Sequence, residues 1–167
     1  MSEKSISIKE RPKVVRSIKE RPTFYIDGFE LRAGGVLFYR TIQDKKEILM
    51  IKKGERWEDI GGKTDIGDTC IEDTVAREVD EETNSVIKKQ YIRKQLDTGF
   101  PVYSATKYVL YFIKANQYER KLCTEDFGTT EFVDNICRTL HWISLENVKT
   151  ITLHPRLSLQ SILSFFK

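Results

Sequence analysis

The sequence is poor in the residues that staple small folds or clip them around zinc. Of its 167 residues, three are cysteine and two are histidine. Cys70, Cys123 and Cys137 are odd in number and contain no Cys-x-x-Cys pair. They do not spell out a disulfide framework, and with only His141 and His154 to add they do not make a zinc site. Reduced thiols in an intracellular compartment are the expectation. No apolar run approaches the roughly 20 residues needed to cross a bilayer, so no membrane partner is expected. The opening residues, MSEKSISIKERP, lack the apolar stretch of a secretory signal. The Gly-x-Ser-x-Gly elbow, the Walker loop and the zincin His-Glu-x-x-His motif are absent as well.

What is present is the mixture of an ordinary soluble domain, 40% hydrophobic and 32% charged, on a chain long enough to bury one core. The net charge of +3 is unevenly placed. Residues 1–22 carry seven basic and three acidic side chains, a net +4, which leaves the remaining chain at −1. This arm repeats Ser-Ile-Lys-Glu-Arg-Pro at 7–12 and 17–22. Two copies are too few for a solenoid, and each proline disfavours helix in the residue before it. The arm is expected to be a flexible solvated tail or a basic segment that contacts phosphates, as RNA would offer.

A compact domain is expected over 23–167. Residues 23–29, 34–40 and 46–52 are β-rich or apolar and read as strands, with a hairpin tip at Asp44-Lys45-Lys46. A loop follows through Gly54 and Trp57 to Gly61-Gly62, and then a helix. Residues 90–97 and 106–114 read as two more strands, 116–137 as a polar connection, 140–143 as a short strand and 157–166 as a packed C-terminal helix.

The helix after Gly61-Gly62 is the unusual element. Thr69 with Glu72 has the spacing of a capping box, so the helix should begin at Cys70. Ile71, Val75 and Val79 lie four apart and mark its core face. Asn84 falls where a left-handed cap belongs. Glu78, Glu81 and Glu82 stand at i, i+3 and i+4 and share one surface at the C-terminal end, with only Arg77 nearby to offset them. Carboxylates are unfavourable there because the end of the helix already carries partial negative charge. A divalent cation would remove the conflict, and clustered carboxylate oxygens suit Mg²⁺ or Mn²⁺. Gly61-Gly62 lets backbone approach a ligand closely, and Lys63 adds a point charge suited to phosphate.

This stretch resembles the signature of the Nudix hydrolase superfamily: Gly, five residues, Glu, seven residues, then Arg-Glu-aliphatic-x-Glu-Glu-x-Gly-aliphatic. Gly62 fits the first position, and Arg77, Glu78, Val79, Glu81 and Glu82 fit the central core. Asp68 stands where the early Glu belongs, with a loop one residue longer, and Asn84-Ser85 replace the closing Gly-aliphatic pair. The resemblance implies an α/β/α sandwich around a mixed sheet and Mg²⁺- or Mn²⁺-dependent hydrolysis of a phosphoanhydride in a nucleotide or polyphosphate substrate. Glu78, Glu81 and Glu82 would bind metal with help from the Gly62 carbonyl, and Arg77 would orient them. Glu78 or an acid of the 116–137 connection would be the general base. Glu131 is the first choice in that connection, with Glu125 and Asp126 competing. Lys63 is a candidate substrate contact. So is Trp57, for which stacking on a nucleobase and plain packing are both open. Three functions are carried forward: cleavage of a nucleoside diphosphate linked to another group, hydrolysis of the 5′ cap of RNA with the basic arm engaged, and a non-catalytic nucleotide- or protein-binding module.

Overall fold

Alternating apolar residues lay down a mixed sheet with a helical layer on each face. The structure, a computed structural model, describes residues 20–167. The N-terminal arm therefore lies outside the described residues except for its last three. Of these, Arg21 and Pro22 offer their carbonyls to Arg32 and to the Thr64 hydroxyl. A small hairpin, β1 (Phe24–Ile26) and β2 (Phe29–Leu31), comes first. Then follow β3 (Ala33–Ile42), β4 (Lys45–Lys53), β5 (Arg56–Glu58), β6 (Ile60–Lys63), α1 (Ile71–Glu82), α2 (Lys89–Leu96), β7 (Phe100–Ser104) and β8 (Tyr108–Lys114). Two 3₁₀ turns at Glu119–Lys121 and Thr124–Phe127 lead to the hairpin β9 (Thr130–Glu131) and β10 (Ile136–Cys137). The chain closes with β11 (Thr139–Ser144), α3 (Leu145–Val148), β12 (Thr152–Leu153) and α4 (Leu159–Phe165).

The main sheet runs β12-β5-β4-β3-β8-β7, with β11 also paired to β4 and β6 to β3. The β3–β8 and β12–β5 pairs are parallel and the others antiparallel. Because side chains alternate along a strand, β3 sends Val36 and Phe38 to one face and Leu37 to the other. The first face meets Ile71, Val75 and Val79 of α1 and Ile92 and Leu96 of α2. The second, with Ile48, Met50 and Phe112, meets Val148 of α3 and Ile162 of α4. This is the expected α/β/α sandwich. Among the described residues no helix is long and apolar enough to cross a membrane.

Several local expectations are corrected. Residues 90–97 are helix rather than strand, because Ile92 and Leu96, four apart, are the buried pair while Tyr91 is exposed. Phe100–Ser104 is a further strand, and its Pro101 is tolerated because β7 is an edge. The β3–β4 turn is Gln43-Asp44, both at positive φ (48° and 63°), so Lys45 and Lys46 belong to β4. The stretch before Gly61-Gly62 is not all loop but holds β5 and the start of β6, which contains both glycines. The helix starts one residue later than expected, at Ile71, and Thr69 does not cap it: its amide and hydroxyl both donate to the Asp73 carboxylate.

Candidate active site

Backbone contact between β6 and α1 builds the floor of the site. Gly62 pairs with Gly34 of β3, and the carboxyl group of Glu78 lies where a side chain on Gly62 would begin. A Cβ there would displace the Glu78 carboxyl, so glycine at 62 leaves that carboxyl its place. Val75 covers Gly34 in the same manner one turn earlier.

Asp68 secures the arginine that faces the acids. Its carboxylate accepts from Arg77 Nε at 3.1 Å, from Arg77 Nη2 at 3.0 Å and from the Thr74 hydroxyl at 2.8 Å. These bonds hold the Asp68 pKa below its ordinary value even though burial opposes them. Arg77 also donates to the Lys63 carbonyl at 2.9 Å, and its Nη1 reaches Glu78 at 3.0 Å and Glu81 at 3.4 Å. The longer loop thus leaves Asp68 as the anchor of Arg77.

Glu78 and Glu82 are largely desolvated, with side-chain exposures of 15% and 13%, against 29% for Glu81. Burial disfavours the charged form, and it pushes the Glu78 pKa up to about 7 although Arg77 pulls the other way. Burial likewise raises Glu81, against Arg77 and with help from the charges of Asp134 and Glu131. Glu82 is raised by burial and by Glu58 and Glu131, against the Lys53 ammonium. Lys53, at the end of β4, sits 2.8 Å from Glu58 and 3.5 Å from Glu82. Burial works against its charge, but these two acids outweigh it and hold its pKa above the usual lysine value.

The C-terminal end of α1 is fastened to the 127–138 segment. Asn84, at φ 53°, donates to the carbonyls of Phe127 and Thr130 and accepts from the Phe132 amide. The buried Arg138 donates to the carbonyls of Glu82, Phe127 and Gly128. These bonds bring Glu131 (3% exposed) beside the helix end, where its charge acts on Glu81 and Glu82. Its two oxygens accept the amides of Val133 and Asp134.

Arg77, Glu78, Glu81, Glu82, Gly62 and Glu131 are therefore brought together, and exposed Lys63 stands at the edge through its carbonyl contact with Arg77. Glu125 and Asp126 are not: Asp126 closes its own 3₁₀ turn by accepting the Cys123 amide, and both are solvent-exposed. Trp57 is also apart. It packs with the core cluster on the second face of the sheet, edge-on to His141 at 5.4 Å, while its neighbour Glu58 turns to the acid side. His141 has a hydroxyl partner at each ring nitrogen, Thr124 and Thr139, and His154 accepts the Arg156 amide within its own turn. The sequence reading missed Lys53, Glu58 and Arg138. Signals existed for the first two, a lysine ending an apolar strand and an acid two residues before an apolar Ile-Gly-Gly, but nothing local marks Arg138.

The donor set fits a hard divalent cation. It is all oxygen, and Glu82 Oε2 is buried without a hydrogen-bond partner. Among the described residues no three His, Cys, Asp or Glu side chains converge tightly enough to hold an ion as they stand. Arg77 draws Glu78 and Glu81 to itself, and Lys53 draws Glu82.

The model of the NUDIX domain family matches residues 31–160. The chain belongs to the Nudix family. No curated protein matches it. Among solved structures it is similar to a C. elegans Ap4A hydrolase, at 22% identity over 72% of this chain and 85% of that one, with a TM-score of 0.47. It is also similar to Shewanella oneidensis NrtR, at 16% identity over 78% of this chain and 58% of that one, with a TM-score of 0.48. A mutT/nudix family protein from Listeria innocua is similar at 11% identity over 73% and 82%, with a TM-score of 0.42. Nudix membership accounts for the carboxylate helix and supports a pyrophosphohydrolase type of chemistry, for which Nudix hydrolases generally use Mg²⁺ or Mn²⁺.

Proposed function

We propose that this Nudix domain is a metal-dependent pyrophosphohydrolase that cleaves the phosphoanhydride of a nucleoside diphosphate linked to a further group. The observation that carries the reading is the desolvated face of Glu78, Glu81 and Glu82, closed by Gly62 on one side and by Glu131 on the other. Crowded carboxylates at a helix C-terminus oppose the helix dipole, so their presence there calls for a cationic ligand. Glu78, Glu81, Glu82 and the Gly62 carbonyl would hold Mg²⁺ or Mn²⁺. When bound, the ion neutralises charge on the diphosphate and lowers the pKa of attacking water.

The remaining work belongs to side chains. Glu78, whose carboxyl lies against Gly62 at the buried end of the acid face, would take the proton of the attacking water. Arg77, locked by Asp68, keeps Glu78 and Glu81 aimed inward. Lys63 is exposed at the rim, where its ammonium can meet a phosphate. Glu131 adds a fourth acid within electrostatic reach of Glu81 and Glu82, and Trp57 is left to packing.

The test is a product assay with Mg²⁺ on ADP-ribose, other sugar nucleotides, dinucleoside polyphosphates, nucleoside triphosphates and capped RNA, with Glu81→Gln as control. Cleavage of a small nucleotide, lost in the variant while the fold is retained, is the expected result. A fully active Glu81→Gln would overturn the assignment. The repeated basic arm favours one second reading, RNA-cap hydrolysis. It requires cleavage of capped RNA alone, with affinity that falls steeply as salt rises.

A further inference from the structure

The acid face contains a cation of its own. Lys53 Nζ bridges two carboxylates from different elements, Glu58 of β5 at 2.8 Å and Glu82 of α1 at 3.5 Å. Glu58 is 6% exposed and Glu82 has a buried second oxygen with no partner, so water does little to screen either charge. Among the described residues Lys53 is the ion-pair partner of both Glu58 and Glu82, since Arg77 is committed to Asp68, Glu78 and Glu81 and Arg138 spends its donors on the carbonyls of Glu82, Phe127 and Gly128.

We infer that Lys53 is the resident counter-ion of Glu82 and that it releases Glu82 when a divalent cation enters. The inference rests on the reading of Glu82 as a metal ligand. An ammonium and a divalent ion cannot both sit within hydrogen-bonding range of one carboxylate without strong mutual repulsion. The geometry gives the lysine somewhere to go. Its contact with Glu58 is the shorter of the two and lies on the β5 side, and its own side chain is 30% exposed. Glu58 then acts as a tether, keeping the ammonium beside the site after Glu82 is released. Lys53 is in this sense a positioning residue. It holds Glu82 in place before metal arrives and sets how tightly metal must bind to replace it.

Calorimetric titration with Mn²⁺ alone, in the absence of substrate, reads this directly. Lys53→Met should bind Mn²⁺ roughly tenfold more tightly than the unsubstituted protein, because the competing charge is gone. A folded Lys53→Met with equal or weaker affinity would overturn the inference, as a purely structural lysine predicts. Should Lys53→Met fail to fold, acetylation of Lys53 in the unsubstituted protein, followed by mass spectrometry, decides. Saturating Mn²⁺ should accelerate it severalfold, and an unchanged rate refutes release. Binding of Mn²⁺ by the unsubstituted protein with no effect of either kind sinks only the role of Lys53. No Mn²⁺ binding at all sinks this inference and the metal-dependent function together.

Discussion

The guanidinium of Arg138 donates twice to the carbonyl oxygen of Glu82, at 3.0 and 2.8 Å. Those bonds place a buried positive charge on the last carbonyl of α1, where the helix dipole is most negative and where three glutamates gather. The cation that the sequence lacks in the last turn of the helix is supplied by a residue 56 positions further along. Arg138→Met would strip the side-chain donor from the carbonyls of Glu82 and Gly128 and leave Phe127 with Asn84 alone. A loss of about 2–4 kcal/mol is expected from urea denaturation. Arg138→Lys should recover part of it. A loss no greater than that of an ordinary surface substitution would show that the carbonyls find other partners.

Asn84 does more than tolerate a left-handed backbone. A Gly at this position would keep φ near 53° without strain, but it would remove the bonds to Phe127, Thr130 and Phe132. Asn84→Gly is therefore expected to destabilise by about 1–2 kcal/mol, since two half-buried carbonyls and one exposed amide lose their partner. It should lower kcat more than it changes KM, because Glu131 is the group it frees. An unchanged kcat would mean that β9 and β10 hold Glu131 without Asn84.

The two residues show why part of this molecule was legible in sequence and part was not. The acid face of α1, its Ile71–Val75–Val79 core stripe and the left-handed Asn84 follow from spacings of three or four residues, which helix geometry fixes locally. The same spacing, from Ile92 to Leu96, marks the buried face of α2, and the strand expected over 90–97 gives way to it. Thr69 and Glu72 had the spacing of a capping box, but Asp73 competes better for the threonine hydroxyl. Arg138 reaches the site only through chain reversals across the sheet, and no local pattern records such a contact; Lys53 and Glu58 carry weak local signals that do not reveal their pairing.

The desolvated acids give the metal-free protein a characteristic response to pH. Glu78 is raised to about 7 by burial, and Glu81 and Glu82 are raised for the same leading reason. Between the ordinary carboxylate range and about 7 the folded protein then holds more protons than the unfolded chain. Its stability should fall as pH rises through that window and level off above it. Melting temperatures in EDTA at about pH 5 and about pH 8 test this, with Glu78→Gln expected to flatten the slope. Asp68, whose pKa is lowered, acts in the opposite sense only below the usual aspartate range. His141 and His154, both lowered by burial, act in the opposite sense below the usual histidine range, so the decisive comparison is with Glu78→Gln: a slope unchanged by that substitution would contradict the burial of Glu78. Saturating Mg²⁺ should reverse the trend, because the ion binds only the deprotonated acids.

On the other face of the sheet, Asp59 is fully buried and shares its carboxylate between Arg156, at 2.8 Å, and the hydroxyl of Tyr108. Side chains on Gly35 or Gly61 would collide with this group, so the room around it is full. Arg156→Met alone would strand a buried charge and should cost about 3–5 kcal/mol. The double change Asp59→Leu, Arg156→Met removes both charges and should recover most of that loss, because desolvating the pair offsets much of its attraction. Urea denaturation of both single variants and the double one gives the coupling. A double variant as unstable as Arg156→Met would show that the pair stabilises the fold in its own right. Glu78, Glu81 and Glu82 lie across the sheet from it, so the folded double variant should keep kcat within a few-fold; a larger loss would mean that the pair also sets the position of Gly61-Gly62.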